Sequence, residues 1–475
     1  MDDLFAPRLP VVQVLLQQVA DAANHRLEGD RTLAATWKGR AADNVAAIRL
    51  MQAIEAQGRP ATPDEQGWLA RFTGFGASDL ANAIFTLRGK PCRPGWEQIV
   101  HDLDRATTRD EWAGLQRATQ YAHYTPEFII RAMWAAAHRF GFRGGAVLEP
   151  GVGTGLFWSL MPGHMVSSSV LTGIENDPIT ARIVRLLPPL ADVRLASFTD
   201  PDLNLAPQDL VIGNPPFSDR TVKAPLDGVR GLSLHEWFIA RGIGALRPGG
   251  LACFVVSRWF MEKDDDRARV LIEGMADLLG AIRLPAAAMR AAAGTDVVVD
   301  LVFFRRRAEG AASLSPAWTG KACVDMDGAA GPAPVNAFFA ARPGLVIGRH
   351  AIRGSQFGPS YTCLPDPGIE DLPAALVAVC GALGDAVEVE AAAAAAHQPA
   401  TPATRGTVVR VGTASEGATV KEGSYLIDAA TGALMQVVDS LAVPVPVKSG
   451  RGTAGIFASH AAIIRGLVPI RDAVR

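Results

Sequence analysis

The sequence predicts an α/β protein built on a mostly parallel sheet covered by helices on both faces. Three observations carry this. Short apolar runs alternate with helical stretches from about 145 to 306. The first run is followed at once by a glycine-rich turn, Glu149-Pro150-Gly151-Val152-Gly153-Thr154-Gly155. The run Leu210 to Ile212 leads into Asn214-Pro215-Pro216-Phe217, about sixty residues after the turn. Ligands on such sheets sit outside the carboxyl ends of the strands, where both motifs fall.

The chain has 475 residues, enough for two or three domains. With 49% hydrophobic and 20% charged residues it has the composition of a folded protein. A net charge of -2 gives no global basic footprint for non-specific nucleic-acid binding and leaves a local basic channel open. Five cysteines, at 92, 253, 323, 363 and 380, have no metal-ligand spacing, and no metal site is expected. The start Met-Asp-Asp argues against a secretory signal, and no apolar run is long enough to span a membrane. A cytoplasmic location is the default expectation.

Residues 1–120 predict a helical region. Val11 to Ala23 and Asn44 to Ile54 have apolar residues at helical spacing. Thr62-Pro63-Asp64-Glu65 reads as a capping box for a helix running to Phe72. A further helix spans Pro126 to Phe140. Six strands are then expected: Ala146–Leu148, Val170–Ile174, Leu210–Ile212, Gly250–Ser257, Leu278–Arg283 and Val297–Phe304. The helix Leu234 to Leu246 ends at Pro248-Gly249-Gly250. Residues 311–405 read as an accessory region with a short helix at Val335 to Ala341 and a linker after Ala391 to Ala396. Residues 406–475 read as a small accessory domain, with strands around Val408, Tyr425 and Leu434 and a helix at Ile456 to Ile464. Pro469-Ile470-Arg471-Asp472 could open another helix, which points to a continuing domain.

The glycines of the first turn allow close approach of backbone to a ligand. No Lys-Ser or Lys-Thr follows them, which excludes the usual phosphate-cradling loop. Glu175, at the next strand's end with Asn176, is placed to receive ribose hydroxyls. These features fit a dinucleotide as well as S-adenosylmethionine, and Asn214 to Phe217 decides for the latter. The Asn214 side-chain oxygen and the Pro215 carbonyl can both accept hydrogen bonds from one exocyclic amino group. The two prolines preorganise these acceptors, and Phe217 offers a face for a planar base. The bland alternatives are a structural turn and a core phenylalanine. Asp177 reads as a helix-start residue, Trp68 and Trp237 as core, and His235 as structural.

With the cofactor loop before this tetrapeptide, the chain resembles amino-methyltransferases of the adenine-modifying DNA class. The resemblance implies a Rossmann-like class I methyltransferase sheet over 121–310, S-adenosylmethionine as cofactor and DNA as partner. Tyr124, Thr125 and Pro126 match the segment that packs over the methionine part of the cofactor in that class. Ala196-Ser197-Phe198-Thr199-Asp200 matches the stretch around the cofactor adenine, with Ser197 where those enzymes carry an acid. Arg59 to Pro63, Phe72 to Gly76, Ser233 to Phe238, Arg283-Leu284-Pro285, Thr295 to Phe304 and Val335 to Phe339 are similar to large phage and plasmid proteins joining such a methylase to a helicase. Neither a Gly-Lys-Thr loop nor an Asp-Glu-x-His box occurs here. A helicase or other defence-system subunit is therefore expected in trans or on a further domain.

Ser218 to Gly231, with Arg220, Lys223 and Arg230, reads as a mobile loop closing over a flipped base and touching phosphates, or as an ordinary exposed loop. Arg305, Arg306 and Arg307 read equally as phosphate contacts or as a basic strand end. Two other readings remain: methylation of rRNA or of protein glutamine, and a catalytically weak scaffold in a phage-defence or anti-restriction complex.

Overall fold

The computed structural model describes residues 24–86, 91–121, 123–294, 296–355 and 358–383, with short strand segments between 409 and 457. The chain divides into two compact units, Met1–Ala396 and His397–Arg475. The divisions expected near 120 and 310 both fall inside the first unit. The expected helix Val11 to Ala23, the Ala391 to Ala396 run and the Pro469 to Asp472 stretch lie outside the described residues.

The first unit is organised by a seven-stranded sheet in the order β3-β2-β1-β4-β5-β7-β6. Its strands are β1 (Gly145–Pro150), β2 (Ser169–Glu175), β3 (Asp192–Leu195), β4 (Gln208–Gly213), β5 (Leu246–Ser257), β6 (Ala276–Arg283) and β7 (Val299–Arg306). All neighbours pair in parallel except β7, which runs antiparallel to both β5 and β6. This is the Rossmann-like sheet of class I methyltransferases, with helices before it and small β-sheets after it. One strand escaped the sequence reading: β3 has only four residues and only Val193 is buried, so it carries no apolar run. Apolar clusters fill both faces of the sheet.

The antiparallel β7 corrects the reading of the terminal arginines. Arg305 is paired with Leu251, which pairs in turn with Leu210 near the start of β4, so it sits away from the motif-bearing strand ends. Arg305 donates to the Phe140 carbonyl, and Arg307 donates to Asp277 and to the Ala276 carbonyl at 2.7 Å. These two cations are committed to the protein.

The helical leader packs a third cluster against the helix between β2 and β3. Ile48, Met51, Phe72 and Phe75 meet Ile179, Ile183 and Leu187 there. Thr62 and Glu65 form the expected capping box, but the helix Pro63–Leu69 stops before Phe72, which turns into the core. Trp68, read as core, is 51% exposed and lies under the Arg71 guanidinium. Trp237 is core as expected.

Residues after β7 add a hairpin-like pair, Lys321–Val324 with Ala333–Asn336, and a hairpin, Arg349–Ser355 with Gly358–Leu364. The helix expected from Val335 begins at Ala337, because Val335 and Asn336 end a strand. Phe338 and Phe339 enter the sheet core. Around them lies a buried ionic cluster. Arg283, fully buried, takes both oxygens of Asp300 at 2.8 Å, contacts Glu262, and donates to the Tyr361 hydroxyl at 3.0 Å. Arg258 pairs with the other Glu262 oxygen at 2.9 Å. Every charge in the cluster has an opposite partner.

In the second unit, Tyr425–Ile427, Leu434–Val438 and Leu441–Pro444 form an antiparallel three-stranded sheet. Val409–Arg410 pairs with Thr419–Val420. Ile456–Phe457 is a strand paired with Val447–Lys448, not the start of a helix; its two β-favouring residues found a partner strand. Residues 458–464 lie outside the described residues.

Candidate functional site

The order β3-β2-β1-β4 sets four carboxyl ends side by side, and each carries one motif. Residues from all four ends line a single cavity of about 540 Å³, within the range of small-molecule sites. They include Glu149, Gly151 and Gly153 at the end of β1, Glu175 and Asn176 at the end of β2, Ser197 and Phe198 after β3, and Asn214, Pro216 and Arg220 after β4. Tyr124 and Thr125 complete it from the upstream segment. Pro126, Pro150, Gly155, Pro215, Phe217, Lys223 and Arg230 are not in the lining.

The glycine turn has a clear local cause. Gly151, Gly153 and Gly155 all have positive φ, and a Cβ on Gly153 would press on the Tyr124 ring at 3.4 Å. Glu175 locks the turn: one carboxylate oxygen accepts from Gly153 N at 2.9 Å, the other from Asn176 N and Asp177 N. Asp177 caps the next helix through Thr180, as expected of a helix-start residue. Its second oxygen is buried without a partner.

Tyr124-Thr125-Pro126 does more than start a helix. The helix Glu127–Arg139 has Pro126 at its N-cap and no side-chain cap, and the buried Thr125 hydroxyl has no partner. The preceding carbonyl, of His123, accepts from Asn214 Nδ2 at 3.0 Å. Because a carbonyl only accepts, this bond fixes which way the Asn214 amide faces. Its Oδ1 is left buried and unpartnered.

The acids of the cavity are shifted by burial and by one another. Glu149 is 2% exposed, one of its oxygens has no partner, and burial together with the Glu175 charge pushes its pKa well up. Burial, and secondarily the Asp177 charge, pushes Glu175 up to about 7. Burial raises Asp177 as well. Three acids thus crowd one rim, an environment that favours a cationic ligand. Ser197, in the place of a further acid, turns its hydroxyl to Thr199 Oγ1 at 2.8 Å. Asp200 is exposed and outside the cavity. Phe198 is buried against Phe238.

Residues 218–233, which include the stretch expected as a mobile or an ordinary exposed loop, fold back on themselves as a hairpin held by isolated bridges. Val222 N donates to Leu232 O at 3.0 Å, and Leu226 and Val229 exchange backbone bonds at 2.9 Å. Asp227 and Gly228 both have positive φ at its tip. Asp-Gly with that geometry makes the tight turn that joins right-twisted strands, a signal present in the sequence. Lys223 and Arg230 are exposed on it, and Arg220 faces the cavity.

One wall has no signature in the sequence. Gly114, Arg117 and Gln120, from the end of the helical leader, also line the cavity. A Cβ on Gly114 would lie 3.0 Å from the free Asp177 oxygen. This contact joins residues more than sixty positions apart, so no local pattern reports it. Among the described residues there is no His/Cys/Asp/Glu group that could hold a metal, and no helix long and apolar enough to cross a membrane.

The strand order, with β7 antiparallel, defines a Rossmann-like fold of the class I methyltransferase kind. No family model matches the chain. A stretch of 189 residues is 30% identical to the Defense against restriction protein B of Escherichia phage P1. It covers 39% of this chain and only 8% of that protein. Similar solved structures include the type I restriction-modification methyltransferase subunit from Streptococcus thermophilus (14% identity, TM-score 0.34, covering 56% of this chain and 66% of that one). The EcoKI M protein is another (14% identity, TM-score 0.33, 82% and 96%).

Proposed function

We propose that this protein transfers the methyl group of S-adenosylmethionine to the exocyclic amino group of adenine in DNA, with the base flipped into the site at Asn214. The observation that carries the cofactor reading is the set of buried, unpartnered oxygens around an acid-rimmed cavity: Glu149 Oε2, Thr125 Oγ1, Asp177 Oδ2 and Asn214 Oδ1. A buried polar atom left unpaired costs about 1–3 kcal/mol, so four in one place fit a polar, cationic ligand. Glu149 would receive the ammonium of the methionine part, with Tyr124, Thr125 and Pro126 beside it. Glu175 and Asn176 would hold the ribose, and Ser197 and Phe198 would flank the adenine.

When bound, this cofactor supplies an electrophilic methyl group on a sulfonium. Asn214 Oδ1, already oriented by His123, and the Pro215 carbonyl each accept one amino hydrogen of the target. That frees the nitrogen lone pair to point out of the base plane. Neither acceptor is basic, so the surplus proton passes to water. Phe217 stacks on the base, and Arg220, Lys223 and Arg230 contact phosphates.

The choice of DNA adenine rests on the order of the motifs and the resemblance they carry. A second reading, a weakly catalytic segment of an anti-restriction complex, is favoured by the phage P1 relative and by the near-neutral charge. Transfer from labelled S-adenosylmethionine to DNA, RNA and protein decides between them. Label in DNA adenine that falls about 100- to 1,000-fold in Asn214→Ala is the expected result. Cofactor binding without transfer to any acceptor would favour the scaffold.

A further inference from the structure

The tetrapeptide Asn214 to Phe217 has an unusual mechanical problem. Pro215 and Pro216 have no backbone N–H, so neither residue can donate a turn-closing hydrogen bond. The loop must be held through its carbonyls, from outside. The residue that reaches it is His235, on the helix Leu234–Gly244. His235 Nδ1 lies 3.1 Å from the Pro216 carbonyl oxygen, and Ser257 N, at the end of β5, lies 3.3 Å from Nε2.

These two partners leave one arrangement of protons. A backbone N–H only donates, so Nε2 must present its lone pair to Ser257. A carbonyl only accepts, so the ring proton must sit on Nδ1 and point at Pro216. A charged imidazole would set an N–H against the Ser257 N–H. His235 is 5% exposed, and burial lowers its pKa to about 4, which agrees with a neutral ring. The adjacent charge, Glu236, is balanced by Lys263 at 3.1 Å. The ring is clamped edge-on between Phe217 and Phe260, with centroids 5.0 and 6.4 Å away. Its helix is anchored by the Ser233–Glu236 capping box and by Leu234 N to Arg220 O at 2.7 Å.

We infer that His235 is a positioning residue for the proposed methyl transfer: as the neutral Nδ1–H tautomer it ties the Pro216 carbonyl to the end of β5 and steadies the Phe217 ring, so that the Asn214 and Pro215 acceptors converge on one amino group. The inference rests on the function proposed above. His235 holds the loop through the Pro216 carbonyl and also bears on the Pro215 carbonyl, and it exchanges no proton in the reaction.

The test uses the full chain. Histidine-selective ¹⁵N and ¹³C NMR of the ligand-free protein is expected to show one ring protonated at Nδ1 that disappears in His235→Phe. An Nε2–H or doubly protonated ring at this position overturns the inference without any turnover being measured. In kinetics, His235→Phe keeps an aromatic ring but removes both hydrogen bonds. It should lower kcat about 10-fold or more while S-adenosylmethionine affinity stays within about 2-fold. His235→Asn, whose amide nitrogen can take the place of Nδ1, should recover most of the loss; His235→Gln, which retains only the Nε2 side, should not. Unchanged kcat in His235→Phe, parallel losses of kcat and cofactor affinity, or equal activity of the Asn and Gln variants would each overturn it. A wild-type protein that methylates no acceptor sinks the proposed reaction instead, and the ring tautomer then still decides whether the loop is held as described.

Discussion

Two buried polar regions of this molecule look alike in composition and differ in satisfaction. Around Arg283, two arginines meet Asp300 and Glu262, and each charge has a counter-charge within hydrogen-bond reach. Around the glycine turn, Glu149, Glu175 and Asp177 gather with no cation bonded to them, and oxygens of Glu149 and Asp177 are left open. The first region is complete as folded and closes the sheet against the residues after β7. The second leaves buried oxygens without partners. Satisfaction, more than burial or charge, separates a structural polar cluster from a binding site.

The contrast is broken most forcefully at Arg283. Arg283→Ala leaves Asp300 and Glu262 buried without their cation and should cost about 3–5 kcal/mol in urea unfolding. A loss below about 1 kcal/mol would mean that the cluster is not the closed structural unit described here. Glu149→Gln should behave oppositely. Its stability should change by less than about 1 kcal/mol or rise, because an acid whose ionisation is penalised by burial is removed. Cofactor affinity by calorimetry should fall about 10- to 100-fold, since a charge-assisted hydrogen bond is lost.

The same acids predict a pH slope. Glu175, raised to about 7, and Glu149, raised well above its ordinary value by burial and the Glu175 charge, keep protons in the folded chain that the unfolded chain has already released. The stability they contribute is full below about pH 4.5 and is lost as pH rises through 7. The thermal midpoint of the ligand-free protein should therefore fall between pH 5 and 8, and Glu175→Gln should flatten that fall. The smallest effect is expected on the hairpin. Lys223→Ala or Arg230→Ala should each reduce the slope of DNA affinity against salt by about one, without changing cofactor affinity. An unchanged slope would remove the hairpin from the DNA-binding surface.

Much of this was legible locally. Glycines that must take positive φ, prolines that stiffen a strand end and a capping box are short-range devices, and they mark Gly151 to Gly155, Pro215-Pro216 and Thr62-Glu65 without a fold. Asp227-Gly228 was equally local but was masked by the cations around it, which suggested a mobile loop. β3 was hidden because an exposed edge strand needs no apolar pattern.

The amino-acid order by itself determined the strand–helix alternation and the two motifs, and hence the ligand and chemistry proposed above. The tertiary structure decided what depends on residues far apart in the chain. It turned β7 around and so committed Arg305 and Arg307 to contacts within the protein. It brought the Gly114–Gln120 wall over the cavity and set the His123 carbonyl on the Asn214 amide. It also placed His235 between Pro216 and Ser257. Hydrogen bonds and burial are satisfied by whatever atoms folding brings near, and sequence spacing does not record which atoms those are.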